Sequence, residues 1–281
     1  EVTVWTGVNS SGKSTLLGQV MLAAVEQRFP VCAYSGELPD RIFRYWIDLQ
    51  AAGPSWVREE WREDRKASVY RPDPECIKAI RSWYRDYFFL YDTKCVASEE
   101  NLLEVFTYAV QRYGCRVFTV DNLMTTVTSG TERDYFRKQS EFIGRMVEFA
   151  HQYDVHVHIV AHPRKTQGSA PITKMDVAGS GDITNRADNV LALHRCTRKE
   201  KLEDGANRCE AKLKVFKNRF GGRQDIEVQL DFDFKSKRFF LPSDPQGPNW
   251  VYSWVYETGE AKRQLKEWES LGTVVSSGLF S

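Results

Sequence analysis

This sequence has almost no net charge. Its 39 Lys and Arg residues against 38 Asp and Glu leave +1. No global basic field therefore announces nucleic acid, and any such contact is expected to be local or summed over several subunits. It also lacks a run of roughly 18 apolar residues, so no membrane span is expected. No signal peptide is visible, and a cytoplasmic setting is expected, with the mitochondrial matrix as the alternative. Its 6 cysteines (Cys32, Cys76, Cys95, Cys115, Cys196, Cys209) are scattered, with no Cys-x-x-Cys pair. That spacing argues against a zinc site or a disulfide framework and for reduced core thiols. No internal repeat is evident. The chain opens directly on an apolar run, Val2 to Thr6, which reads as an excised domain with upstream sequence missing.

What is present begins at once. Gly7-Val8-Asn9-Ser10-Ser11-Gly12-Lys13-Ser14 has two glycines at the required spacing, then Lys, then Ser. A β-prone run precedes it and a helical run, Thr15 to Glu26, follows. In that context the glycines let the backbone fold into a nest of N–H groups, and the helix adds the positive end of its dipole. The loop from Gly7 through Asn9, Ser10, Ser11 and Gly12 to Thr15 is thus expected to cradle the phosphates of ATP. Lys13 reaches the outer phosphates and Ser14 holds Mg²⁺.

With 281 residues the chain suits one large α/β domain or two small ones. Buried strands are expected at 31–35, 87–91, 116–121, 155–161 and 187–194. Helices are expected at 39–50, 72–85, 98–112 and 132–153. Residues 53–75 read as a polar surface excursion with a short helix around 55–66. Residues 197–208 read as a turn region, and 210–217, 225–234 and 238–241 as antiparallel strands. The fold class expected is α/β, a mostly parallel central sheet flanked by helices, with antiparallel strands at its C-terminal edge. In such a sheet the loops after each strand gather at one end. Ser10, Glu37, Asp121 and His162 all fall just after strands, so they should converge on one nucleotide.

Each then has a chemical task. Asp121 ends a buried apolar run, where P-loop enzymes place a carboxylate on the Mg²⁺ shell; a plain strand-end cap is the alternative. Glu37 fits a carboxylate that orients or deprotonates the attacking water, or else a helix N-terminal Glu favoured by the dipole. His162 can hydrogen-bond the γ-phosphate and report its loss to the loop that follows, although a lone His is more often structural. Lys217-Asn218-Arg219-Phe220-Gly221 sits at a strand end. Its Arg either stabilises charge on a transferring phosphoryl group, often from a neighbouring subunit, or belongs to a solvated turn.

Taken together, the phosphate loop, Ser35-Gly36-Glu37-Leu38-Pro39, Val120-Asp121-Asn122-Leu123, Ala161-His162-Pro163-Arg164-Lys165, Gly179-Ser180-Gly181 and Lys217-Asn218-Arg219-Phe220 occur in the order seen in hexameric replicative helicases. The sequence resembles the helicase domain of phage primase-helicases and mitochondrial Twinkle, and more distantly bacterial DnaB, over residues 1–240. The resemblance implies a RecA-like fold, a homo-hexameric ring and ATP bound between neighbours. It implies that Glu37 polarises water, Asp121 acts on Mg²⁺, His162 senses the γ-phosphate, and Arg219 with Lys217 beside it reaches the next subunit's ATP. It also implies single-stranded DNA in a central channel, translocation 5′→3′, and a primase or polymerase as a further partner. The loop holding Arg164, Lys165, Lys174, Gly179, Ser180 and Gly181 is the candidate DNA contact. Ala178 stands where phage relatives carry Arg, so one expected contact is absent. No primase or zinc-binding segment is present. The expectation is a motor domain over 1–241 and a peripheral or partly disordered extension over 242–281. The rivals are a RecA- or RadA-type recombinase, a small-molecule P-loop kinase and a non-catalytic nucleotide-binding module.

Overall fold

The computed structural model describes residues 1–64, 66–92, 98–122, 132–162, 181–205 and 208–257. The strands are β1 (Val2–Thr6), β2 (Val31–Ser35), β3 (Val57–Arg62), β4 (Ala67–Pro72), β5 (Phe88–Leu90), β6 (Val117–Asp121), β7 (His156–Val160), β8 (Asn189–Arg195), β9 (Ala211–Asn218), β10 (Ile226–Asp233) and β11 (Arg238–Phe240). All but β3 and β4 join one nine-stranded sheet in the order β11-β10-β9-β8-β1-β7-β6-β2-β5. Strands β8, β1, β7, β6, β2 and β5 run parallel. The last three are antiparallel, in the order of the chain. β1 and β2 are buried on both faces and read as unbroken apolar runs, as sheets covered on both sides do.

Helices cover the two faces. On one, α4 (Glu99–Tyr113) and α5 (Glu132–Tyr153) bury Leu102, Phe106, Phe142, Ile143 and Met146 against Val2, Val4, Phe118 and Ile159. On the other, α1 (Lys13–Glu26), α2 (Asp40–Ala52) and α3 (Pro74–Tyr84) bury Met21, Leu22, Phe43, Ile47 and Trp83 against Val31 and Ala33. Ser98 caps α4 by accepting from the Asn101 amide, and Gly114 closes it in the left-handed conformation.

Three expectations change. Residues 55–66 are not helical. After a short 3-10 turn at Pro54–Trp56, β3 and β4 form an antiparallel hairpin. Val57, Trp61, Val69 and Tyr70 supply the β-prone residues, and Arg71 pairs with Glu60 across it at 3.0 Å. Gly181, expected in a flexible loop, opens α6 (Gly181–Arg186). The turn expected at 197–208 contains a helix, α7 (Arg198–Glu203). A capping box starts it: the Glu200 amide donates to Thr197 Oγ1, and the Thr197 amide donates to Glu200 Oε2.

The stretch after 241 is not peripheral through residue 255. Tyr252, Trp254 and Val255 lie in the core against α2 and α3, and Trp254 is fully buried with its Nε1 donating to Ala51 O at 3.0 Å. Arg238, also fully buried, donates to the carbonyls of Gln50, Pro248 and Trp250 and lies over the Trp250 ring at 4.4 Å. Burial pushes its pKa down to about 10. Proline and glycine at 242–248 break regular structure without detaching the chain. Residues 258–281 lie outside the described residues.

No described helix is long and apolar enough to cross a membrane.

Candidate functional site

The C-terminal ends of the parallel strands carry the site. β1 runs into the phosphate loop, where Ser10 takes a left-handed conformation (φ 62°) and Gly12 does likewise (φ 100°). Both glycines of the motif are required by close approach. A Cβ on Gly7 would sit 2.4 Å from Leu193 O, and one on Gly12 would sit 2.7 Å from the Phe239 ring. No side chain caps the start of α1. Its first amides are therefore available to an anion, with the helix dipole behind them.

Lys13 is buried at the first turn, its Nζ donating to Gly7 O (2.8 Å) and Val8 O (3.0 Å). Burial lowers its pKa, while Asp121 and Glu37 raise it. Asp121 ends β6 and is 3% exposed. Burial raises its pKa and Glu37 adds to the effect; Ser14, Lys13 and His162 oppose it. The Ser14 hydroxyl comes near without completing a hydrogen bond. Among the described residues, neither carboxylate oxygen of Asp121 accepts one. An unsatisfied buried carboxylate costs free energy unless a cation or donor completes it. With Ser14 beside it, this pair fits Mg²⁺, which takes one or two protein oxygens and leaves its other positions to water and phosphate. Among the described residues there is no cluster of three or more His, Cys, Asp or Glu that could hold an ion without such help.

Glu37 follows β2, and the end of β2 is held to the end of β6 because Gly36 N donates to Asp121 O at 2.6 Å. Leu38 N donates to Ser35 Oγ at 3.1 Å, shaping the turn that presents Glu37. His162 follows β7, with Nε2 3.1 Å from Glu37 Oε1. Sequence reasoning misses Asn122. Its amide nitrogen donates to Glu37 Oε1 and lies 2.8 Å from His162 Nε2. The three side chains thus form a closed polar triangle beside Asp121. The available signal is position, because Asn122 follows the metal-type carboxylate in the same strand-end motif.

These groups surround one cavity of about 420 Å³, lined among others by Asn9, Ser10, Gly12, Lys13, Ser14 and Thr15, with Glu37, Asp121 and His162 opposite. A larger cavity, about 650 Å³, opens at the β5 edge between Arg81, Tyr84 and Tyr108 and contains none of the expected catalytic groups. The smaller one carries the chemistry.

Lys217 and Arg219 do not join this cluster. Asn218, at the end of β9, pairs with Asn189 at the start of β8, and Asn189 stands level with Thr3 at the start of β1. Both cations therefore lie at the opposite end of the sheet from the phosphate loop. Lys217 Nζ donates to the carbonyls of Thr184 (2.8 Å), Asn185 (3.0 Å) and Ala187 (2.6 Å). Arg219 donates to Asp188 Oδ1 at 2.8 Å and to Asn185 O at 3.0 Å. Arg164, Lys165, Lys174, Gly179 and Ser180 lie outside the described residues, and of Gly181 only the backbone in α6 is described.

No family model matches the chain. It is 27% identical over 209 residues to the Twinkle homolog protein, chloroplastic/mitochondrial, of Arabidopsis thaliana. That match takes in 69% of this chain and 28% of the relative, so the chain spans little more than a quarter of the relative's length. Among solved structures it is similar to a helicase ATPase domain, with TM-score 0.64 and 15% identity over 85% of this chain and 84% of that one. It is similar to a DnaB-like replicative helicase, studied with its interactions with primase, at TM-score 0.65 and 14% identity over 86% of this chain and 58% of that one. The fold is the RecA-like fold of these helicase ATPase domains.

Proposed function

We propose that this chain is the ATP-hydrolysing motor domain of a ring-forming replicative DNA helicase, translocating 5′→3′ on single-stranded DNA. One observation carries the reading. Lys13, Ser14, Glu37, Asp121 and His162 meet at one cavity, on a fold shared with replicative-helicase ATPase domains.

In this reading the phosphate loop and the α1 amides bind the triphosphate, and Lys13 leaves the Gly7 and Val8 carbonyls for its outer oxygens. Ser14 and Asp121 hold Mg²⁺, which supplies neutralising charge for the phosphates when bound. Glu37 accepts a proton from the attacking water as it approaches the γ-phosphorus in line. Asn122 and His162 fix the Glu37 carboxylate, and His162 carries the loss of the γ-phosphate to the chain beyond it. Arg219 serves the ATP of a neighbouring subunit, since within its own chain it lies at the far end of the sheet. The basic loop with Arg164, Lys165 and Lys174 follows DNA phosphates without reading bases, as a strand-tracking surface does. A primase or polymerase is the further partner this reading allows.

The deciding experiment measures ATP hydrolysis against protein concentration, with and without single-stranded DNA, beside strand displacement on a forked duplex. Hydrolysis that rises more than linearly with concentration, is stimulated by DNA and accompanies unwinding supports the reading. Linear, DNA-independent hydrolysis, or pairing of strands without unwinding, rejects it.

A further inference from the structure

Phosphate chemistry explains only one end of the cavity. The same cavity also reaches Leu38 and the indole of Trp46, on the second turn of α2. Trp46 is half-buried, and Lys237 places its ammonium 4.7 Å from the centre of the indole ring. Lys237 sits in the β10–β11 turn in a left-handed conformation (φ 55°), and burial lowers its pKa. A lysine held in this way is poorly hydrated, which strengthens its attraction to an aromatic face.

The placement of this pair is fixed from three sides. Gln50, one helical turn beyond Trp46, donates from Nε2 to Thr15 O at 2.7 Å and to Lys237 O at 2.9 Å. One side-chain amide therefore ties the start of α1, the middle of α2 and the β10–β11 turn together. Just past that turn, the Phe239 ring closes against Gly12 of the phosphate loop. Gln19 secures the same strand, with Nε2 donating to Phe239 O (2.9 Å) and Oε1 accepting from its amide (2.7 Å). An aromatic side chain held against a phosphate loop presents a flat apolar face next to a polar nest. A nucleoside triphosphate has the complementary layout, with a flat base at one end and charge at the other.

We propose that Trp46, braced by Lys237, is the wall on which the base of the bound nucleotide stacks. The proposal rests on the nucleotide reading above and adds to it the residue that separates a nucleoside triphosphate from a bare polyphosphate. Trp46 touches the ligand; Lys237 is a positioning residue that acts through the indole. Stacking on an aromatic plane is tolerant of base identity, so the wall favours nucleotides as a class.

The test is calorimetric titration of the full chain with Mg-ATP and, separately, with Mg-tripolyphosphate. The variants are Trp46→Ala, Trp46→Phe and Lys237→Met. Stacking of this kind gives about tenfold in affinity. Trp46→Ala is expected to weaken ATP about tenfold while leaving tripolyphosphate unchanged. Trp46→Phe should restore most of the loss, and Lys237→Met should weaken ATP about threefold, the scale of an exposed cation–π contact. Unchanged tripolyphosphate binding also shows that the Ala variant is folded. An equal loss for both ligands assigns Trp46 to packing and overturns the proposal, as does no loss for either. A wild-type chain that binds tripolyphosphate as tightly as ATP overturns it too, while the phosphate site stands. A wild-type chain that binds neither removes the nucleotide reading and this proposal with it.

Discussion

Arg219 donates to Asp188 at 2.8 Å across the start of β8, where Asp188 is fully buried and also accepts the Val2 amide at 2.8 Å. The residue expected to act on a neighbour's nucleotide thus has a partner in its own chain. Its guanidinium is 42% exposed, so part of the charge remains in water.

Arg219→Ala should therefore have two separable effects. Loss of the ion pair with a buried carboxylate should cost about 1–2 kcal/mol of stability, below the full value for a buried pair because the Arg is half in solvent and Val2 still serves Asp188. Urea denaturation measures that. ATP hydrolysis should fall by about 10³ through loss of the trans charge. Mixing Arg219→Ala with Lys13→Ala subunits should restore part of the activity at interfaces that pair an intact loop with an intact Arg. No recovery at any ratio would speak against action in trans.

Asp121 trades stability for metal binding. Burial and Glu37 raise its folded pKa, so its contribution is favourable at low pH, where it is protonated, and is lost as pH rises through that raised value. Asp121→Asn should remove this penalty and raise the melting temperature in EDTA by about 2–4 °C, equivalent to about 1 kcal/mol. The same change should abolish Mg²⁺-dependent hydrolysis. A lower melting temperature in EDTA would mean that the carboxylate is satisfied by the protein alone.

Glu37→Gln should leave ATP affinity near wild type and lower single-turnover hydrolysis by about 10²–10⁴, the range for a lost general base. Asn122→Ala removes only a hydrogen bond to Glu37 and should cost less. If Asn122→Ala is the more severe of the two, Asn122 rather than Glu37 handles the water.

Lys174→Ala should weaken single-stranded DNA with little change in ATP affinity. Removing one phosphate-neutralising cation lowers the slope of log affinity against log salt by about 0.7. A slope identical to wild type would remove Lys174 from the interface.

Trp254→Ala should destabilise the domain by about 3–5 kcal/mol, the cost of emptying a fully buried aromatic site. A change under about 1 kcal/mol, read from denaturant midpoints, would return this segment to the periphery.

What is legible in the sequence is local in the chain. Lys13, Glu37, Asp121 and His162 each follow a buried apolar run, and parallel topology gathers such positions without any knowledge of packing. Asn122 escapes because its role is defined by Glu37 and His162, contributed by two other strands. Trp46 and Lys237 meet through Gln50, which stands 187 positions from Lys237, and no spacing in the sequence encodes that encounter. The β3–β4 hairpin is hidden by its charged solvent face, which masks the alternation of Val57 and Trp61 with Arg and Glu. Trp254 is hidden by the Pro- and Gly-rich stretch before it, since composition reports the turn and not where the chain goes afterwards.

Because the phosphate loop and Arg219 lie at opposite ends of one sheet, two copies related by a two-fold axis cannot complete each other's sites through a single self-complementary patch. A contact that brings one copy's Arg219 to another's Lys13 must be head-to-tail, and such contacts either close into a ring or continue as a helix. An open chain of these subunits always ends in one loop without an Arg and one Arg without a loop. Closure alone leaves no idle half-site, so the asymmetry of a single sheet already favours a cyclic machine.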